Sequence, residues 1–250
     1  MRRAGAGIVP AVQIEIGQIE AIYRYPVKSM RGEALDAVSL GWHGLDGDRR
    51  LALRRFDEHA GFPWLTASKL PELVRFTPRG CEEKNGEPLP THIVTPEGHE
   101  LPVFGEALAA EIERRHKAPV QMMYLKHGIF DDASVSVITS DTVREICRLA
   151  GQDADARRFR PNILVRSTRA LPFEENDWLG GVLAFGDAAA VNVTMPDVRC
   201  AMVNIDPEGG PSTPDVLKAV VRANRNEAGI YATVTRLGQL AVGQKVVLHR

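Results

Sequence analysis

The chain has 250 residues, 44% of them hydrophobic, enough to bury a sizeable core in one or two domains. Its 31 basic and 32 acidic residues leave a formal net charge of -1, which argues against global attraction to nucleic acid or anionic lipid. Cys81, Cys147 and Cys200 are too few and too scattered for a disulfide framework or a zinc site, no apolar run is long enough to span a bilayer, and a cytoplasmic protein is expected.

Residues 1–12 read as a ragged start and not as a signal peptide, because Gly5, Gly7 and Pro10 interrupt the apolar run. "IEIGQIEAIYRYPVK", "ALDAVSL", "RRLALRRF" and "ELVRFTP" are short, apolar or alternating, and end in turn residues, so each is expected as a strand. Asn85-Gly86 is a hairpin signal, and "HIVTPEGHELPV" reads as a second hairpin turning near Gly98. The texture changes at Glu106. A helix is expected over 106–116, then a strand in "VQMMYL". "SVSVITSDTVREICRLAG" switches from period two to helical spacing, with Ser140 as cap and Val143, Ile146, Cys147 and Ala150 facing inward. "NILVRS", "VLAFGD", "AAVNVTM" and "CAMVNID" read as strands. "TPDVLKAVVRANR" reads as a helix with Thr213 as cap and Val216, Leu217, Val220 and Val221 inward, and two strands close the chain. The predicted class is mainly β with α: a β-rich lobe over 14–105, then a barrel with flanking helices over 106–250.

Four stretches carry groups suited to chemistry. "YPVKSM" sets Lys28 and Ser29 just after a strand and a stiffening proline, where a cation and a hydroxyl can hold an anion. "WHGLDGDRRLAL" places Arg49 at the edge of a Gly-rich turn. In "RRFRPNILV", extended geometry puts Arg158, Arg160 and Asn162 on one face. "VRC" sets Arg199 beside Cys200, and a cation beside a thiol favours the thiolate, a nucleophile and soft metal ligand. Each stretch also has a plainer reading: a solvated lysine, a local Asp48–Arg49 pair, a basic loop, a buried strand cysteine. The seven histidines (His43, His59, His92, His99, His116, His127 and His249) show no metal-ligand spacing. Asp206 reads first as a turn residue, and no general acid stands out.

Taken in order, "YPVKS", "GLDGDR", "RFRPN" and "RC" before "DP" resemble the MOSC-domain proteins. More narrowly, the chain resembles the branch with an N-terminal MOSC-type β-barrel domain, which includes the mitochondrial amidoxime-reducing component and its bacterial relatives. The resemblance spans about residues 14 to 248. It implies a molybdenum–pyranopterin cofactor with Cys200 as thiolate ligand to molybdenum. By the same resemblance, Lys28, Ser29, Arg49, Arg160, Asn162 and Arg199 hold the phosphate and pterin, together with Thr139 and Ser140 at a helix start. The implied activity is reduction of N-oxygenated small molecules such as hydroxylamines, N-hydroxylated bases and amidoximes. No cysteine follows Cys200, so no iron–sulfur cluster is expected here and a separate flavin or iron–sulfur donor protein is implied; no pyridoxal phosphate is expected. The rival from another class is a non-catalytic carrier of sulfur or of the cofactor, using the same Cys200.

Overall fold

The computed structural model describes residues 12–56, 58, 61–84, 86–128 and 131–250. In chain order, the first half contributes β1 (Gln13–Arg24), β2 (Glu33–Leu35), β3 (Ala37–Gly41), β4 (Gly44–Leu45) and β5 (Leu51–Arg55). There follow β6 (Thr77–Arg79), β7 (Glu82–Lys84), β8 (Glu87–Leu89), β9 (His92–Val94), β10 (Glu100–Pro102), α1 (Glu106–His116) and β11 (Val120–Tyr124). The second half gives β12 (Val135–Thr139), α2 (Ser140–Leu149), β13 (Ile163–Ser167), β14 (Val182–Phe185) and β15 (Ala189–Val198). It ends with α3 (Asp215–Asn224), β16 (Glu227–Arg236), β17 (Gly238–Ala241) and β18 (Lys245–His249).

The strand β1 ties the two ends of the chain together. It buries Ile16, Ile19 and Ile22, a spacing of three where a flat strand would bury every second residue. Irregularities between Glu15 and Gly17 on the β18 side, and between Ile19 and Ala21 on the β13 side, account for the difference. With β18 on one edge and β13 on the other, β1 closes the order β13-β12-β16-β15-β14-β18-β1 into a seven-stranded barrel, and β2 pairs alongside. All neighbours are antiparallel except β12 and β13, which are parallel and joined through α2. Trp178, Phe185, Val137, Ile230 and Leu248 fill the inside.

A second apolar cluster is built mainly from residues 27–122, where Leu53, Phe76, Ile93 and Ile112 are buried, and Ile205 reaches into it from the far end of the chain. A third packs α2 and α3 against the outside of the barrel through Val143, Ile146, Cys147, Val216 and Val220. Burying an Ile or Val side chain of this kind contributes about 2 kcal/mol. The class is therefore α+β and mainly β, with the three predicted helices in place. The Asn85-Gly86 hairpin joins the antiparallel pair β7–β8, with Asn85 itself outside the described residues, as are residues 1–11 of the ragged start and His59. Among the described residues no helix is long and apolar enough to cross a membrane.

Several local expectations need correction. Residues 72–75 form a 3-10 turn, Pro71–Arg75, because Pro71 supplies a fixed φ and no donor. Residues 201–204 form another, Ala201–Asn204, so Cys200 caps a turn and does not lie in a strand. The cap of α2 is Thr139, whose side chain accepts from the Thr142 amide, one residue before the expected Ser140. Val221 faces solvent and Ala219 takes its place inside. Residues 156–159 are a 3-10 turn and Arg160 is left-handed, so Arg158, Arg160 and Asn162 do not share an extended face.

Candidate functional site

A cavity of about 360 Å³ opens where the barrel meets the second cluster, within the size range of small-molecule sites. The structure brings Lys28, Ser29, Arg49, Arg160, Arg199 and Cys200 to its wall, from four separate places in the chain. Cys200 is exposed there. Its position follows from the end of β15. Pro196 cannot donate to the ladder, and the register with β16 slips between Val193 and Met195 and again between Pro196 and Val198. The chain thus peels away, held last by the Arg199 amide donating to the Asn226 carbonyl, and Cys200 leaves the sheet.

The cations are held before any ligand arrives. Lys28 is buried and donates to Asp131 at 2.6 Å; burial lowers its pKa, against the pull of Asp131. Arg49 donates to Asp48 Oδ2 at 2.5 Å, to the Arg160 carbonyl at 3.0 Å and to Asn162 Oδ1 at 3.3 Å. Burial opposes the Arg49 charge, but Asp48 outweighs it and holds its pKa above the ordinary value. The fully buried Asp48 also takes the Tyr25 amide at 2.7 Å, which fixes the turn to the end of β1. Both the Arg49 and Arg160 guanidinium groups lie over the Tyr25 ring, at 4.9 and 4.1 Å from its centre. Burial pulls Arg160 down to about 10, so it stays cationic at neutral pH. Its Nη1 donates to the Met30 carbonyl, and its Nη2 is buried with no partner among the described residues.

Three of the cavity residues, Ser29, Arg49 and Arg160, have left-handed backbone, with φ of 68°, 52° and 49°. For a residue with a Cβ this conformation costs about 1–2 kcal/mol. Here it aims three polar side chains at one place.

The other expected residues lie elsewhere. Asn162 does not line the cavity. Its Oδ1 accepts from the Ser136 amide and from Arg49, and its Nδ2 donates to the Tyr23 carbonyl, so it braces β12, β13 and β1 and positions Arg49. Arg199 reaches the wall, but its guanidinium is committed to the Ala228 and Phe159 carbonyls and to Asp197 at 2.9 Å. Thr139 and Ser140 stand at the start of α2 away from the cavity. The hydroxyls of Thr139 and Thr142 donate to Glu175 at 3.1 and 2.9 Å, so this chain's own carboxyl already fills that helix terminus.

Sequence reading missed Tyr25, Asp131, Ser136, Asp197 and Tyr231. Asp197 is buried on the cavity wall, accepts from the Ser136 hydroxyl at 2.9 Å, and is pushed up to about 6 by burial, against Arg199 and Ser136. The only signal in the sequence was its place three residues before Cys200. The histidine reading also missed one contact: His43 and His127 pair on the surface at 2.8 Å, although no cluster of three or more metal-binding side chains exists among the described residues.

The comparisons agree with this architecture. Residues 16–143 match the MOSC N-terminal beta barrel domain, and residues 124–247 match the MOSC domain. MOSC domains occur in molybdenum-cofactor sulfurases and reductase-like proteins and are associated with binding that cofactor. No curated protein matches the chain. Among solved structures, the YUAD protein from Bacillus subtilis is 15% identical with a TM-score of 0.55, covering 96% of this chain and 98% of that one, a likeness of fold. YiiM from Geobacillus stearothermophilus is 22% identical with a TM-score of 0.37, over 46% of this chain and 53% of its own. YiiM from Escherichia coli is 16% identical with a TM-score of 0.34, over the same shares. With the two overlapping domain matches together spanning residues 16–247, and so the barrel and the cavity, the chain belongs to the MOSC family, in the form that carries the N-terminal beta barrel domain.

Proposed function

We propose that this cavity holds a molybdenum–pyranopterin cofactor and that the protein reduces N-oxygenated small molecules: hydroxylamines, N-hydroxylated bases and amidoximes. The observation that carries the reading is the meeting of an exposed thiol, Cys200, with the buried Lys28 and the half-buried Arg49 and Arg160 in one cavity, where Arg160 Nη2 has no acceptor among the described residues. A group that needs both a soft sulfur ligand and several anion anchors fits that donor set. When bound, the cofactor supplies the two-electron chemistry.

The chain's own residues do the rest. Cys200 provides the thiolate to the metal. Lys28, Ser29 and Arg160 hold the anionic and polar parts, while Asp131, Asp48 and Asn162 keep the cations aimed. Reduction breaks the N–O bond: R–NH–OH takes two electrons and two protons and yields R–NH2 and water. The electrons come from a separate flavin or iron–sulfur protein. Asp197 is suited to hold a proton at the wall, since its carboxyl changes charge near pH 6.

The test is purification from a host that makes the cofactor, with molybdenum and pterin measured on the protein and N–O reduction assayed with a reduced viologen dye. Stoichiometric molybdenum with turnover of amidoxime or hydroxylamine supports the reading. A molybdenum-loaded protein inert toward all three substrate classes refutes the reductase and leaves a carrier.

A further inference from the structure

Beside the cavity that holds Cys200 lies a second, of about 190 Å³, separated from it by Arg158, Arg160 and Met202. Its apolar surface comes from Tyr23, Val74, Ile205 and Pro207. Its polar surface has an imbalance. The Tyr25 hydroxyl, Arg31 Nε, Arg158 Nε and Arg160 Nη2 all belong to residues of this wall, and all four are buried without a hydrogen-bond partner among the described residues. Tyr25 and Arg158 are only 2% and 6% exposed. Every one of these atoms is a donor. Buried donors are normally paired, so four of them around one space indicate missing acceptors.

The rim shows what kind of acceptor the arginines take. Glu208 spans two of them, accepting from Arg31 at 2.9 Å and from Arg157, and Asp206 accepts from Arg158 at 3.2 Å. The Glu208 side chain is 56% exposed and hangs on a loop that continues into Gly209 and Gly210. It is a surface carboxylate occupying a guanidinium pair at the mouth of an apolar pocket. An apolar cavity of about 150 Å³ is enough to take benzene.

We infer that the smaller cavity is a binding pocket for a small carboxylate with an apolar body about the size of a benzene ring, and that Glu208 is the intramolecular carboxylate such a ligand displaces. The ring packs between Tyr23, Val74 and Ile205. The ligand's oxygens accept from Arg31 and from the unpartnered Tyr25 and Arg158 donors. Exchange of one carboxylate for another keeps the charge on Arg31 balanced, while Arg157 keeps its pair with Asp155. Arg158 and Arg160 stand on the wall shared with the larger cavity, so the case rests on Tyr25 and Arg31, which line only the smaller one, and does not depend on what fills the larger cavity.

Calorimetric titration of the full chain with benzoate, with its neutral isostere benzamide and with inorganic phosphate tests the proposal. Benzoate is expected to bind at one site, and benzamide at least about tenfold more weakly. Tyr25→Phe removes a hydroxyl that makes no bond, so it should leave thermal unfolding unchanged while weakening benzoate about tenfold. Glu208→Gln frees the guanidinium pair and should tighten benzoate several-fold. Ala34→Trp, at an exposed wall position on β2, should fill the pocket and abolish binding. Benzamide binding as tightly as benzoate, no gain from Glu208→Gln, binding that survives Ala34→Trp, or phosphate binding where benzoate does not would each overturn it.

Discussion

Glu175 offers a quantitative check on the helix terminus that sequence reading assigned to the cofactor. The residue is fully buried, and burial pushes its carboxyl from 4.5 up to about 7, against the hydroxyls of Thr139 and Thr142 that donate to it. The sign follows from where the proton sits. Below pH 4.5 both folded and unfolded chains carry it, and Glu175 contributes no pH dependence. Between 4.5 and about 7 the unfolded chain releases the proton while the folded chain keeps it, so stability falls as pH rises, and the loss is complete once the folded group has ionised. The displacement from 4.5 to about 7 corresponds to about 3 kcal/mol.

Glu175→Gln has the same shape and can still accept from both hydroxyls, but it does not titrate. Urea unfolding of wild type and variant at half-unit steps from pH 4.5 to 8 isolates this one group, because other titrations cancel in the difference. The variant should gain on the wild type steadily with pH, by up to about 3 kcal/mol at pH 8. Parallel stability curves would show that Glu175 is solvated and charged at the start of α2. That terminus would then be open to an external anion, as the sequence-based expectation for Thr139 and Ser140 had it.

Three further outcomes are expected. Cys200→Ser should unfold like wild type yet lose N–O reduction by orders of magnitude while retaining pterin, whereas Cys147→Ser, in the core between α2 and α3, should cost about 1–3 kcal/mol and spare activity; urea unfolding with the viologen assay separates the two. Asp48→Asn leaves Arg49 without its counter-charge and should cost about 3 kcal/mol in urea unfolding, with molybdenum content falling in step. Gly229→Ala should cost at least about 2 kcal/mol, since its φ is +82° and a Cβ would stand 2.7 Å from the Val137 carbonyl and 3.0 Å from Arg199; the loss of reduction beyond the loss of folded protein measures how far Arg199 and Cys200 have shifted.

The contrast between what the sequence disclosed and what it hid is physical. Helices α2 and α3 were legible because their apolar stripes report a contact each residue makes with the same surface. The hairpins were legible because turn chemistry is local. The site residues were legible as types, since a thiol beside a cation or an arginine after a Gly-rich turn is visible in one line of sequence. Their partners were not. Asp197 looks like any strand residue until β16 is laid beside β15, and Tyr25 looks like one more aromatic at the end of β1. Only closure of the barrel brings Arg49 and Arg160, from opposite halves of the chain, over its ring. A helix start was recognisable at Ser140, one residue past the true cap Thr139, but nothing near it in sequence announces that Glu175 will occupy the terminus.

The left-handed residues were the least visible of all, because Ser29, Arg49 and Arg160 stand where glycine would be the conformationally easy choice. Glycine at any of the three would relieve about 1–2 kcal/mol of strain and remove the side chain that reaches the cavity. The same conformation occurs at Lys117, Ala170, Phe173, Arg225 and Asn226 away from the cavity, so it is the meeting of three such residues around one space that distinguishes the site. Under the proposed function, these are the side chains that would meet an anionic, sulfur-ligated group beside the exposed thiol.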